Sequence, residues 1–394
     1  MKVLIVNDLA TDTGGAERVS LLMRERLRAR GVDARLFASV ASPLPGVEHQ
    51  ADDACFGTNA AWRPALATVN PFAMARLRSV LRRFRPDVVH LRMFMWQLSP
   101  IILRELRNTP TLVHVVNYDL ICPMNTKTLP TGEPCSHRPG LICLKSRCLG
   151  PAGLARGVTQ RAILRRYFDS ACDRLIVNSH WVRGRLEAEG VRVDGVVWNG
   201  VRTVDQRPPL STGPTVCFAG RLVAKKGADT LVEAMALVRK RIPEARLLIA
   251  GDGPLRAELA RRSGELGLGE SVRFLGHLGH DAMHEAFAGA WVQAAPSRWE
   301  EPFGLVAAEA MMRGTAAIVS DTGGLSEQVL DGVTGYHVRP RDTAAWAEQI
   351  TRVLSDKQHA EALGAAGRDR ALSEFTIDAM VERTIEQYHI TAAR

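Results

Sequence analysis

Residues 216–254, VCFAGRLVAKKGADTLVEAMALVRKRIPEARLLIAGDGP, contain the pattern that decides the fold. Val216–Ala219 and Ala245–Ala250 are short apolar runs typical of buried strands, and a glycine follows each of them. Between them, Ala228–Arg241 has the apolar spacing of a helix. A strand, a helix and a second strand in this order predict a parallel βαβ unit.

The same alternation continues along the whole chain. Further strands are predicted at Lys2–Val6, Asp33–Val40, Asp87–Leu91, Thr111–Val116, Arg174–Val177, Gly195–Val197, Ser271–Phe274, Trp291–Ala295 and Ala316–Ser320. The polar stretch Asn199–Pro214 suits a linker. With 394 residues, the chain suits two doubly wound α/β domains, which we expect at 1–200 and 201–375. A final helix at 376–394 is expected to cross back to the first domain.

Composition excludes several classes of protein. The chain is 46% hydrophobic and 24% charged, as in globular proteins. No apolar run approaches the ~18–20 residues of a membrane-spanning helix. The apolar stretch near the start is too short for a signal peptide. We therefore expect a cytoplasmic protein, whose seven cysteines serve as thiols or metal ligands rather than disulfides.

The positive charge is confined to the first half. Residues 1–200 hold 28 Lys and Arg against 17 Asp and Glu, whereas the remaining 194 residues hold 23 against 25. The net charges are therefore +11 and −2. The first half could face an anionic membrane, a phosphorylated acceptor or a nucleic acid; the alternative is that arginine is simply common. Nucleic acid is disfavoured, because no helix-turn-helix, zinc-finger or aromatic stacking pattern is present.

The densest group of polar candidates lies in residues 296–309, PSRWEEPFGLVAAE. Glu301 precedes a proline and is therefore expected in a loop. Phe303, Gly304 and Leu305 then open a helix, whose first backbone N–H groups suit phosphate or sugar oxygens. Glu309 lies further along and could accept hydrogen bonds from a ribose diol. The alternative is a helix start at which acidic residues only stabilise the dipole.

Two other turns follow predicted strands. Arg221 and Lys226 come after Gly220, at the carboxyl edge of the sheet where open α/β sheets bind ligands. Two cations there suit a pyrophosphate, although they could also be solvated charges in a turn. Gly251 and Gly253 would let a ligand approach the backbone closely.

Together with Gly14-Gly15-Ala16-Glu17, Asn178-Ser179 and Asn199-Gly200-Val201, these motifs resemble the family-4 retaining glycosyltransferases over nearly the whole chain. The resemblance implies a GT-B architecture, in which two Rossmann-like domains face a cleft. It also implies a nucleotide-diphosphate-sugar donor held by the second domain, an acceptor held mainly by the first, and no metal or cofactor required for catalysis.

The resemblance also assigns roles to residues. Arg221 and Lys226 would bind the donor diphosphate and stabilise the leaving nucleotide, and Glu301 would contact the donor sugar. The amides of Phe303, Gly304 and Leu305 would hold sugar hydroxyls and the β-phosphate, and Glu309 would bind ribose. Gly15 would approach the β-phosphate from the first domain.

Two segments depart from the family pattern on the acceptor side. Where the family stretch has a His before an Asp, this chain has Val116 and Asn117. His114 lies two residues earlier and could partly substitute, or it could be a hydrogen-bonded core histidine. Arg92 stands where a second His is common, and an arginine there would suit a phosphate or carboxylate on the acceptor.

Two further features concern the first domain. Cys122, Cys135, Cys143 and Cys148 lie in the loop 122–151 and could form a structural zinc site, with His137 as a spare ligand; the alternative is a loop of unligated thiols. Next, Leu154–Phe168 alternates apolar residues with arginines. It is either a basic amphipathic helix that rests on anionic lipid or a packed helix with a basic face.

We therefore predict a retaining glycosyltransferase of the hexosyltransferase type, acting in polysaccharide biosynthesis on a sugar, lipid-linked or anionic acceptor. We expect it in the cytoplasm, peripheral at the inner face of the membrane. A nucleotide-sugar epimerase or a phosphorylase on the same fold is the alternative enzyme, and a basic nucleic-acid-binding protein the alternative outside enzymes.

Overall fold

The computed structural model describes residues 1–42 and 46–393. The chain forms two compact α/β units. The first comprises Met1–Pro130, Ser136–Gly200 and Ile377–Arg394, and the second comprises Val201–Thr376 together with the short segment Thr131–Cys135.

A seven-stranded parallel sheet forms the centre of the first unit. Its strands are β1 (Lys2–Leu9), β2 (Asp33–Ser39), β3 (Asp53–Cys55), β4 (Val88–Leu91), β5 (Thr111–Val115), β6 (Arg174–Val177) and β7 (Gly195–Val196). Their order across the sheet is β3-β2-β1-β4-β5-β6-β7. Val3, Leu4, Ile5 and Val6 of β1 are all fully buried, as expected of a strand covered on both faces.

Helices pack around this sheet. They are α1 (Gly15–Ala29), α2 (Arg63–Thr68), α3 (Pro71–Phe84), α4 (Leu103–Leu106), α5 (Leu141–Lys145), α6 (Pro151–Ala171) and α7 (His180–Glu187). Local sequence fixes several of their starts. Asn70 caps α3 by accepting a hydrogen bond from the Ala73 amide, and Ser179 caps α7 through Val182.

The second unit has a six-stranded parallel sheet. Its strands are β8 (Thr215–Ala219), β9 (Arg246–Ala250), β10 (Val272–Gly276), β11 (Val292–Ala295), β12 (Ala316–Ser320) and β13 (Gly335–Val338), in the order β10-β9-β8-β11-β12-β13. Its helices are α8 (Ala228–Val238), α9 (Arg256–Glu265), α10 (His280–Ala286), α11 (Leu305–Arg313), α12 (Leu325–Gln328), α13 (Thr343–Leu354) and α14 (Lys357–Glu374).

The last helix, α15 (Ile377–Ala392), belongs to the first unit. Its Tyr388 is fully buried and reaches His90 of β4, and its Asp378 forms an ion pair with Arg30 at 2.9 Å. Arg394, the end of the predicted terminal helix, lies outside the described residues.

Each sheet contains one point at which the strand order reverses, between β1 and β4 in the first unit and between β8 and β11 in the second. Ligands of open α/β sheets bind beyond the carboxyl ends of the strands at such points. Two doubly wound sheets were predicted from the sequence, but two of their described outer strands, β3 and β13, were not among the predicted strands.

Helix α6 differs from its sequence prediction. It begins at Pro151, three residues before the predicted start, because proline suits the first helical position after Gly150. Its residues do not separate into an apolar and a basic face: Val158 is 57% exposed, whereas Gly157 and Gln160 are buried. This burial favours the alternative of a packed helix. In the described part of the chain, no helix combines the length and the apolarity needed to cross a membrane.

Candidate active site

Two loops flank the reversal point of the second sheet, 220–227 after β8 and 296–304 after β11. The Arg298 amide donates to the Lys225 carbonyl at 2.8 Å. Gly227 has φ +71°, and a Cβ atom on it would collide with the carbonyl oxygen of Pro296. Glycine thus allows the two loops to lie directly against each other.

An ion pair joins these loops. Lys226 Nζ donates to Glu301 Oε1 at 2.7 Å, and Ser297 Oγ donates to the same oxygen. Glu301 is only 6% exposed. Burial would raise the pKa of its carboxyl group, but Lys226, Ser297 and Lys225 outweigh burial and hold that pKa below its usual value. Glu301 is therefore ionised at neutral pH.

More positive charge surrounds the pair. Lys225 Nζ lies 4.3 Å from the centre of the Trp299 ring, and Arg221 is exposed. Burial, together with the charges of Arg221 and Lys226, lowers the pKa of Lys225 to about 8. Three cations in one loop would be stabilised by a multiply charged anion.

The turn after β9 completes one side of this edge. Gly251 has φ +138°, and a Cβ on it would strike the Gly220 carbonyl. Gly253 has φ +156°, and a Cβ on it would collide with the Leu222 carbonyl. Close contact with the loop after β8 therefore requires glycine at both positions. This requirement is separate from the predicted approach of a ligand.

The start of α11 forms the other side. Gly304 caps the helix in a left-handed conformation with φ +90°, and Leu305 is its first residue. The side chain of Phe303 is buried against Phe375, with ring centres 5.8 Å apart. The first amides of a helix have no acceptor within it, so this end can hold ligand oxygens.

Glu309 lies on α11, one turn after its start. Its Oε1 lies 3.8 Å from His280 Nε2 of α10, and its side chain is 12% exposed. A carboxylate in this position can accept hydrogen bonds from neighbouring hydroxyl groups.

The structure thus places all predicted donor-side residues except Gly15 at one edge of the second sheet: Arg221, Lys226, Gly251, Gly253, Glu301, Phe303, Gly304, Leu305 and Glu309. Gly15 is the first residue of α1 in the other unit. The edge combines cations and helix amides, which suit a diphosphate, with carboxylates, which suit sugar hydroxyls.

In the first unit, Arg92 and Asn117 lie directly beyond the adjacent strands β4 and β5. Arg92 is 3% exposed, and burial lowers its pKa to about 10. Asn117 Nδ2 donates to Asp119 Oδ2 at 2.7 Å. Burial nevertheless raises the pKa of Asp119 to about 7, and the Asp8 carboxylate adds to the rise.

His114 lies in the interior of the same unit. Its Nδ1 is 3.2 Å from His90 Nε2, and His90 Nδ1 is 2.7 Å from the Tyr388 hydroxyl. All three side chains are fully buried. Burial, together with the charge of Arg92, holds the pKa of both imidazoles well below its usual value, so both are neutral. This geometry favours the core-histidine interpretation.

The cysteine loop shows no metal-binding arrangement. Within residues 1–42 and 46–393, no three His, Cys, Asp or Glu side chains are grouped so that they could hold a metal ion. Cys122, Cys135, Cys143 and Cys148 are half-buried and form no disulfide there. A zinc site in this loop stays a hypothesis from the sequence.

Sequence reasoning missed three functional candidates. Ser297 and Lys225 stand within the quoted motifs but gave no signal of their own, since their roles depend on contact between two loops. Asp119 was passed over because the family pattern drew attention to Asn117. The available signal was a carboxylate three residues before Cys122-Pro123, and the structure places all three residues around one cavity.

Two family models match the chain. Glycosyl transferases group 1 matches residues 202–370, and the glycosyl transferase 4-like domain matches residues 14–200. The D-inositol 3-phosphate glycosyltransferase of Nocardia farcinica is 28% identical over 386 residues, which cover 90% of this chain and 80% of that protein. The glycogen synthase of Mycobacterium tuberculosis is 35% identical over 178 residues. That alignment covers 45% of this chain and 43% of the relative, so the match spans less than half of the relative's length.

Solved structures share the fold. Sucrose-phosphate synthase from Thermosynechococcus elongatus superposes with a TM-score of 0.75 at 24% identity, over 100% of both chains. HepE of Anabaena, solved with UDP and glucose, gives 0.70 at 19% identity, over 98% of this chain and 99% of the other. The two parallel sheets and the two family models, which together match residues 14–200 and 202–370, show that the chain belongs to the family-4 glycosyltransferases of GT-B fold.

Proposed function

We propose that this protein is a retaining glycosyltransferase that moves a sugar from a nucleotide-diphosphate sugar to an acceptor hydroxyl. The observation that carries the proposal is the contact between Lys226 and Glu301 at the reversal point of the second sheet. It joins a cation suited to phosphate and a carboxylate suited to sugar hydroxyls within 2.7 Å.

The chemistry required of the site follows from the leaving group. When the bond between the sugar C1 and the β-phosphate oxygen breaks, its electron pair leaves with the diphosphate, and the sugar becomes oxocarbenium-like. The acceptor oxygen then bonds to C1, and its proton passes to the oxygen of the departing diphosphate. Lys226 and Arg221 would stabilise the growing negative charge, and the first amides of α11 would add their dipoles.

Glu301 serves this chemistry in two ways. Its ionised carboxylate holds the Lys226 ammonium in position, and its second oxygen remains to accept a hydrogen bond from the donor sugar. Glu309 would accept from the ribose. These groups are sufficient for a reaction that requires no bound metal, and we propose none for catalysis.

The relatives support the choice of donor. HepE was solved with UDP-glucose and with UDP, and the inositol 3-phosphate relative is named for a glycosyl transfer. We propose a nucleotide-diphosphate hexose for this chain. The first unit bears on whether a polysaccharide or a lipid carries the acceptor hydroxyl.

Nucleotide sugars are expected to raise the melting temperature of the protein. A ligand at 100 times its dissociation constant stabilises the native state by about 2.7 kcal/mol. A thermal-shift panel of nucleoside diphosphates and their sugars would identify the base and the sugar, and Lys226→Ala should abolish the largest shift.

Analysis of the reaction products separates the alternative enzymes. An epimerase would convert the sugar of the bound donor without any acceptor, and a phosphorylase would require inorganic phosphate as a substrate. Product analysis that finds either outcome, or a panel in which no nucleotide shifts the melting temperature, would contradict the proposed transfer.

We further propose peripheral contact with an anionic membrane through α6, at the cytoplasmic face. Arg165 and Arg166 on this helix are exposed, whereas Arg161 is partly buried, and burial lowers its pKa. Val158, about two turns earlier on the same helix, is also exposed. Cations next to apolar surface are favoured at a lipid interface.

Reversing Arg165 and Arg166 to Glu is expected to weaken binding to vesicles that contain phosphatidylserine by at least about tenfold, since each cation near such a surface contributes about 1 kcal/mol. The pair Arg82→Glu and Arg85→Glu, also exposed, changes the net charge equally and serves as the control. Equal vesicle binding by both pairs of variants would show that α6 has no membrane role.

A further inference from the structure

Arg92 occupies an unusual position for a charged residue. It follows β4 directly, at the reversal point of the first sheet, and its amide donates to the Val6 carbonyl of β1 at 2.9 Å. The backbone is thus fixed between two central strands. The side chain is 3% exposed, so the guanidinium group lies inside the unit.

Among the residues that the structure describes, none forms a hydrogen bond with this guanidinium group. Nε, Nη1 and Nη2 are all buried and unpaired with any described residue. Burial lowers its pKa only to about 10, so the group stays charged at neutral pH. A buried charge without hydrogen bonds is costly, so an anion that pairs with it would be stabilised.

The groups around Arg92 leave its charge mostly uncompensated. His90 and His114 are neutral, and burial raises the pKa of Tyr388, which keeps its hydroxyl protonated. The Asp8 carboxylate accepts hydrogen bonds from the amides of residues 96–98. Glu17 is the acidic group that acts on Arg92 electrostatically.

The amino end of α1 adjoins the same place. This helix of 15 residues begins at Gly15 after Gly14, which offers no side-chain cap. The Glu17 carboxylate folds back over Gly14, where a Cβ atom would collide with it. The Glu17 carboxylate therefore lies at the positive end of a helix and also acts electrostatically on Arg92, so this end of the unit suits negative charge.

We propose that Arg92 binds an oxyanion, a phosphate or carboxylate group, carried by the acceptor. Only the statement that the acceptor carries this oxyanion rests on the proposed function. The anion site itself is argued from the geometry. A planar guanidinium group with free nitrogens can hold two oxygens of such a group at once. An acceptor without an acidic group would leave the charge buried and unpaired.

The anion site is tested first, without turnover. The double variant Arg221→Ala/Lys226→Ala removes two of the three cations of the donor loop. Inorganic phosphate is then titrated at constant ionic strength while the melting temperature is followed. We expect phosphate to stabilise this variant and to lose that effect when Arg92→Met is added. The same loss with Arg183→Met, an exposed control that pairs with Glu187, would overturn the site.

The stability of Arg92→Met in phosphate-free buffer separates binding from a structural role. Methionine has similar length and no charge, so it should leave the melting temperature unchanged or raise it. A marked fall would show that Arg92 stabilises the fold instead, and would overturn the proposal.

The acceptor role is tested with matched acceptors. We expect Arg92→Met to raise the KM for a phosphorylated or uronic-acid acceptor by about a hundredfold and leave a neutral sugar and the donor KM unchanged. Arg92→Lys should restore part of the loss. A soluble sugar phosphate and vesicles that carry a phosphate-linked sugar lipid are tested separately. The acceptor whose KM depends on Arg92 shows whether the acidic group belongs to a soluble or a lipid-linked acceptor.

The outcomes distinguish two failures. If neither acidic acceptor depends on Arg92, the acceptor role is wrong. If no nucleotide binds but phosphate still binds through Arg92, the glycosyltransferase proposal fails and the anion site remains.

Discussion

Lys226→Ala is expected to lower kcat/KM by about 10²–10³-fold, whereas Lys225→Ala should lower it by less than about tenfold. The two lysines are neighbours in one loop, but only Lys226 donates to Glu301. Lys225 instead lies over Trp299, and its lowered pKa leaves it only partly charged near pH 8. Its contribution to the binding of an anion is correspondingly weaker.

The large effect of Lys226→Ala is expected because negative charge develops on the diphosphate during the reaction. An interaction accelerates the reaction only if it is stronger in the transition state than with bound substrate. Negative charge grows on the diphosphate as the C1–O bond breaks, so the ammonium group of Lys226 gains most at that moment. Kinetics with a saturating acceptor should therefore show a fall in kcat as well as in donor affinity.

Arg221→Ala provides an independent check on the same charge. Arg221 is exposed, so its removal should leave the free energy of unfolding nearly unchanged while lowering turnover by a similar factor. Arg221→Lys should recover part of the activity, because it keeps the charge but loses the planar fork. Near-normal kcat/KM in both Lys226→Ala and Arg221→Ala would remove the donor-site assignment.

A loss of folding must be separated from a loss of chemistry in Lys226→Ala. Removing one partner leaves the Glu301 carboxylate buried and poorly compensated, which destabilises the second unit. Lys226→Met/Glu301→Gln replaces both charges and should recover stability but not activity. Unfolding curves for both variants therefore show which part of the kinetic loss is structural.

Most strands could be predicted from the sequence, whereas contacts that depend on the order of strands in the sheet could not. The apolar runs predicted eleven strands, because those strands have local features, but they missed the short edge strands β3 and β13. The contact between Lys226 and Glu301 joins residues 75 positions apart. It exists because β11 lies beside β8 in the sheet, although β9 and β10 come between them in the chain. Only the resemblance to a known family pointed to that arrangement beforehand.

Burial accounts for the remaining differences. Helix α6 has arginines and apolar residues at mixed spacing, and its buried positions include Gly157 and Gln160, which no hydrophobicity pattern would select. The Gln160 amide donates to two backbone carbonyls, that of Ala67 in α2 and that of Met95. Likewise, the paired imidazoles of His90 and His114 depend on Tyr388, which is supplied by the last helix almost 300 residues later.

Glu301→Gln is expected to lower kcat/KM by about 10²-fold while Glu285→Gln, an exposed control on α10, has no effect. Glutamine can still accept a hydrogen bond from Ser297, so the fold is retained, but the charge that orients Lys226 and binds the sugar is lost. Glu301→Asp should not restore activity, because its shorter side chain withdraws the carboxylate from the 2.7 Å contact.

Glu301→Gln should also change how the free energy of unfolding falls at acidic pH. The pKa of Glu301 in the folded protein lies below its usual value of about 4.5. The ionised carboxylate therefore contributes stability that is fully present above the unfolded-state pKa and is lost as the pH falls through the folded-state pKa. Unfolding curves between about pH 6 and pH 3 should show a steeper loss in the wild type than in Glu301→Gln, because glutamine takes up no proton. Parallel curves would mean that Glu301 is not held ionised by Lys226, and the charge pair would then lose its place in the proposed chemistry.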